Sequence, residues 1–202
     1  MKKSFILKMV VFLLLVGFVA NAGATTIKVT GVDALTYVNF SLNKVTKGEY
    51  AGAILLTVDG KQARSYCVDL AATTWVPSGP FTTELSALDQ GWLLQAAWLM
   101  NKYDGISTYG NAALQLAIWD LEYGVISDIS NTQVASLFSS YLTDLSQNFP
   151  STYNGAGYSF APLDPKAQNL LVNVPAPVPE PTTMVLLGSG LIGLAGLRKR
   201  IR

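Results

Sequence analysis

The spacing of apolar residues changes period twice along the chain. From residue 25 to 58 it has the two-residue period of strands: Ile27 and Val29, then Leu35, Tyr37, Val38 and Phe40, then the run Ala53 to Val58. Gly31 and the stretch 43–48 punctuate these as turns. Asp59-Gly60 is the dipeptide a tight hairpin favours, because both central residues adopt positive φ. The return strand is expected over about 62–70, with Tyr66, Val68 and Leu70 on one face and Cys67 and Asp69 on the other, less apolar one. Residues 71–83, with Trp75, Pro77 and Ser78-Gly79-Pro80, read as a loop.

The period then becomes helical. Leu85, Leu88, Trp92, Leu93, Ala96, Leu99 and Met100 recur three and four apart, predicting a helix over 86–101 that Asp104-Gly105 ends. A second helix is expected over 109–123, with Gly124 as its C-terminal cap. A third begins near Asn131, where Ser130 and Gln133 fit a capping box, and stops at Phe149-Pro150. Residues 158–160 and 170–174 return to the sheet. Strands, a helical block, then strands imply an α+β fold: a β-sandwich or barrel-like sheet with an inserted helical block.

Both ends depart from this pattern. Lys2, Lys3 and Lys8 precede an apolar run over 9–20 and the small-residue site Ala22-Gly23-Ala24, the signature of a cleaved signal peptide over residues 1–24. Residues 175–181, Pro-Ala-Pro-Val-Pro-Glu-Pro, form an extended linker. An apolar, glycine-rich span over 182–197 follows, slightly shorter than the roughly 17 to 25 residues of a permanent membrane helix. Arg198-Lys199-Arg200-Ile201-Arg202 closes it, which orients such a helix with its basic end in the cytoplasm. The globular domain is thus expected over 25–174.

Composition narrows the function classes. Of 202 residues only 13% are charged and the net charge is +1, which excludes the basic stripe of a nucleic-acid binder. The chain has no histidine, which removes Ser-His-Asp and Cys-His catalysis and histidine-ligated metal sites. Its one cysteine cannot form an internal disulfide. No glycine-rich phosphate loop or calcium loop is present. Asp120 and Glu122 are two apart on a helix and diverge, a poor acid–base pair. No cofactor, metal or turnover chemistry is therefore expected.

One residue stands out. Gln115 lies in Ala113-Leu114-Gln115-Leu116-Ala117-Ile118-Trp119-Asp120, and its helical neighbours three and four away are Asn111, Ala112, Ile118 and Trp119. A primary amide in that setting is costly unless it is hydrogen-bonded or chemically consumed. Cys67 is the candidate partner for the second case, with Asp69 as possible support. Gln95, in Leu94-Gln95-Ala96-Ala97-Trp98, is the alternative amide. Trp75, Trp92, Trp98 and Trp119 include possible sugar-stacking rings, although three of them fall in helical stripes.

Two resemblances follow from these residues. Pro179-Glu180-Pro181, the apolar span and the basic tail resemble the PEP-CTERM sorting signal. That implies processing by an exosortase-type enzyme and a membrane-anchored precursor in a Gram-negative bacterium that makes exopolysaccharide, with release to the cell surface or matrix. Tyr66-Cys67-Val68-Asp69-Leu70 followed by Gln115-Leu116-Ala117-Ile118-Trp119 resembles the thioester (TQXA) domain of bacterial surface proteins over about residues 50–123, with Leu114 where that signature has threonine. The resemblance implies that Cys67 and Gln115 condense into an internal thioester able to react with amines on a surface or matrix. The alternative is a passive structural or carbohydrate-binding matrix protein of the same fold.

Overall fold

The computed structural model describes residues 24–70, 72–163 and 165–174. The segments assigned above to the signal peptide, the proline-rich linker and the sorting helix lie outside the described residues, apart from Ala24. The described residues belong to one compact unit. Among the described residues no helix is long and apolar enough to cross a membrane.

Strand β1 (Thr25–Leu42) and strand β2 (Val45–Val58) form a long antiparallel hairpin, and β3 (Lys61–Cys67) follows from β2. Both hairpin turns have two residues at positive φ, Asn43 and Lys44 in the first and Asp59 and Gly60 in the second, the backbone that matches the twist of the strands. The turn expected over 43–48 is therefore only two residues long, and the strand runs through Gly31 without a break. The pairing slips at Val29/Gly31 and again at Asp33/Thr36. Each slip is a bulge that increases local twist and bends the sheet. Gly52 faces the second bulge, where a Cβ would lie 3.3 Å from Leu35 Cα. Only a residue without a side chain allows that approach.

The sheet is completed by β4 (Ser78–Thr83), β5 (Ile126–Ser127), β6 (Ser159–Ala161) and β7 (Leu170–Val172). Its order is β4-β1-β2-β3-β7-β6, with β5 pairing the far end of β1. This is one curled antiparallel sheet, a half-barrel, rather than a sandwich of two. Strand β4 occupies part of the expected loop: Gly79 and Pro80 disguise it, yet an edge strand tolerates them because one side makes no ladder bonds.

Three helices pack as the inserted block: α1 (Gly91–Tyr103), α2 (Thr108–Tyr123) and α3 (Thr132–Asn148). Helix α1 starts later than its apolar period suggests, because Ser86 is taken by the sheet, exchanging two main-chain bonds with Phe160. Asn131, rather than Ser130, caps α3 by accepting from the amides of Gln133 and Val134. Ser130 instead accepts from the Asn39 amide on β1. Ser107, which the sequence pattern did not single out, caps α2 by accepting from the Gly110 amide, and Gly124 ends the helix, as expected.

Helix α2 is the centre of the molecule. It packs on β1, β2 and both other helices, and every residue from Gly110 to Trp119 is buried. Leu114, Leu116 and Ile118 are fully buried, each contributing about 1.5–3 kcal/mol by burial. Trp119 stacks on Phe40 of β1, and Tyr103 of α1 stacks on Tyr141 of α3. Burial on all sides leaves Gln115 no route to water.

Candidate functional site

The last residue of β3 and the middle of α2 meet at one point. Gln115, 1% exposed, turns its side-chain amide onto the main chain of Cys67. The Cys67 N–H donates to Gln115 Oε1 at 3.1 Å, and Gln115 Nε2 donates to the Cys67 carbonyl at 2.7 Å. The cause lies in the sheet. Pairing with β2 ends at Ser65–Ile54, whereas β3 continues to Cys67. The amide of Gln115 therefore continues the ladder where β2 has left it, and satisfies two buried main-chain groups that would otherwise cost about 1–3 kcal/mol each.

Cys67 is itself buried, 6% exposed, in a run from Ser65 to Asp69 that is buried throughout. The expected contrast between an apolar and a polar face is absent, because packing covers both sides of the strand end. The thiol donates to Gln168 Oε1 at 3.0 Å. Gln168 is held by its Nε2, which donates to the Asp69 carbonyl at 2.6 Å, and by its N–H, which donates to Thr74 Oγ1. Nothing in the sequence marks this glutamine: it lies 101 positions from the cysteine, in the short irregular stretch between the turn at Pro165 and β7. Gln95, on α1, makes no hydrogen bond to Cys67 among the described residues, so Gln115 is the helical amide brought to it.

Asp69 fixes the segment that follows the strand. Its carboxylate accepts from the Asn169 amide at 2.7 Å and from the Ala72 amide at 3.3 Å. The Leu70 amide donates to the Tyr123 hydroxyl at the end of α2. Burial, and then the negative charges of Asp69 and Glu49, push the Cys67 thiol well above its ordinary range. The site holds its sulfur as a protonated thiol at neutral pH. Glu122 is pushed up to about 7, first by burial and then by Asp69, with the Tyr123 hydroxyl opposing; its Oε2 is buried without a partner.

The arrangement places a thiol, two primary amides and a main-chain N–H on a carbonyl oxygen within one buried cluster. That N–H is located where a donor would stabilise negative charge developing on Gln115 Oε1. Of the tryptophans, Trp98 and Trp119 are core, Trp92 is half-buried, and Trp75 is 76% exposed on the segment between β3 and β4. Asp120 accepts from the Ile126 amide and so fixes the turn after α2. Among the described residues no group of three His, Cys, Asp or Glu side chains converges as metal ligands.

Residues 177–200 match the family model of the PEP-CTERM protein-sorting motif. No curated protein and no solved structure matches the chain. The motif indicates an exported protein with a C-terminal membrane-anchoring sorting signal, processed by an exosortase-type enzyme.

Proposed function

We propose that this exported, exosortase-processed protein closes an internal thioester between Cys67 and Gln115 and uses it to attach covalently to amines on a target surface or exopolysaccharide matrix. The observation that carries this is the docking of the Gln115 amide on Cys67, with the Cys67 N–H on its oxygen at 3.1 Å. Closure forms an S–C bond between Cys67 Sγ and the Gln115 side-chain carbon and breaks the bond from that carbon to Nε2. The thiol proton leaves with the nitrogen as ammonia. An amide is a poor electrophile in water, but holding both groups together in a core supplies about 7–11 kcal/mol of the barrier. The chemistry is single-use. A target amine opens the thioester, forms an amide at Gln115 and returns the thiol. Release from the membrane anchor would place the protein at the cell surface or in the matrix of a Gram-negative bacterium.

A second reading is a passive structural or carbohydrate-binding matrix protein. It is favoured by the use of both ends of the Gln115 amide as a main-chain clamp, and by Trp75, whose exposed ring is available to stack on a sugar. Intact mass of the exported chain separates the two. The thioester requires a mass one ammonia below that calculated, restoration of the full mass in Cys67→Ala, and a methylamine adduct at Gln115. The calculated mass with a titratable thiol overturns it and leaves the passive protein.

A further inference from the structure

Gln168 is unexplained by main-chain pairing alone. Its amide oxygen is the only acceptor recorded for the Cys67 thiol among the described residues, 3.0 Å away. The other end of that amide is tied to the Asp69 carbonyl, and its neighbour Asn169 is tied twice to the strand end: its N–H donates to the Asp69 carboxylate, and its carbonyl accepts from the Val68 N–H at 3.0 Å. The Gln168 amide is thus bonded at both ends, to a main-chain carbonyl and to the thiol.

We infer that Gln168 is the positioning residue of the site: by accepting the hydrogen bond of the Cys67 thiol it fixes the orientation of the sulfur. This rests on the Cys67–Gln115 reading for its purpose, but the hydrogen bond has a consequence of its own. A neutral acceptor bonded to S–H stabilises the protonated thiol over the thiolate. The sulfur is thereby kept neutral until the bond is exchanged, which protects a buried thiol from alkylation and oxidation. The charged groups facing it act in the same direction. Asp69, which follows on the same strand end, and Glu49 on β2 both oppose ionisation, and Glu122 and Tyr123 of α2 reach the site through Asp69 and Leu70. A carboxylate in place of the amide would add to that opposition, while removal of the acceptor would lift part of it.

The test uses the full-length chain in detergent, treated with methylamine so that any thioester is opened and Cys67 carries a free thiol. Iodoacetamide alkylation is then followed over a mildly alkaline pH series, where the rate scales with the thiolate fraction. Gln168→Ala is expected to alkylate about tenfold faster at each pH, equivalent to about one unit in the thiol pKa. Gln168→Glu is expected to alkylate more slowly than the unaltered chain. Loosening of the loop would instead accelerate both variants, and that result, or no change in either, overturns the inference. Should Gln168→Ala lose its circular dichroism spectrum, Gln168→Met, which keeps the length without the acceptor, takes its place. Because every sample carries a free thiol, the outcome is independent of whether a thioester forms. The mass recorded before methylamine treatment tests that separately.

Discussion

Two polar clusters are built on successive residues of β3, and they solve burial in opposite ways. At Arg64 and Tyr66 the solution is ionic. The guanidinium makes two bonds to Asp104 at 2.8 Å and one to Asp33 at 2.7 Å, and the Tyr66 hydroxyl donates to Asp104 at 2.7 Å. At Cys67 the solution is neutral: two amides and a thiol, with the nearby Asp69 carboxylate turned to main-chain N–H groups. The first cluster is half-open to solvent, so its charges keep part of their hydration. The second is closed, and a closed site holds uncharged groups more cheaply than ions. Arg64 is three residues from the thiol but spends its charge on Asp104 and Asp33. The sulfur therefore has anions around it and stays protonated. Any reaction of Cys67 must come from position rather than from a pre-formed thiolate.

The sharpest break of this comparison is at Gln115. Gln115→Ala leaves the Cys67 N–H and carbonyl unpaired inside the core and opens a cavity in α2, so a loss of about 3–5 kcal/mol is expected in urea unfolding. Cys67→Ala should cost much less, because the main chain that Gln115 grips is unchanged. Equal losses in the two variants would show that the side chain, not the backbone clamp, holds this point together.

The ionic cluster should yield less. Asp104→Ala removes three bonds but leaves Arg64 its Asp33 partner and some solvent. About 2 kcal/mol is expected, discounted for the partial exposure of the guanidinium. A loss as large as that at Gln115 would contradict the contrast between open and closed clusters.

The smallest effect concerns pH. Glu122 is raised from 4.5 to about 7, so the folded state binds its proton more tightly than the unfolded chain does. Stability from this group is complete below about pH 4.5 and is lost as pH rises through 7. Thermal unfolding should show that decline in the unaltered protein and a flatter profile in Glu122→Gln, with a difference of about 1 kcal/mol at neutral pH after allowance for solvent screening. Parallel profiles would remove Glu122 from the neighbourhood of the site.

Much of this architecture was legible in local pattern. The two-residue period of β1 and β2, the Asp59-Gly60 turn, and the spans of α2 and α3 all follow from residues close together in sequence. Gln115 was visible as an anomaly because one amide among apolar neighbours three and four away needs a partner wherever the helix lies. Three features were harder to read. Ser86 carries a helical period but joins the sheet through Phe160, 74 positions away. The strand at 78–83 is masked by glycine and proline that only an edge position tolerates. Gln168 has no local oddity at all.

The sequence by itself determined the long strands and the three helices, which helix is buried, and that its central amide must be satisfied, because periodicity, turn chemistry and the cost of a bare polar group act over a few residues. It also carried the C-terminal sorting motif, which is read as a linear segment. The tertiary structure alone decided that the partner of Gln115 is the main chain of Cys67, that the thiol meets Gln168, and that the sheet curls as one half-barrel. Those outcomes depend on where β2 parts from β3 and on how two bulges bend β1. Such geometry is set by contacts across the whole chain, and no window of neighbouring residues contains it.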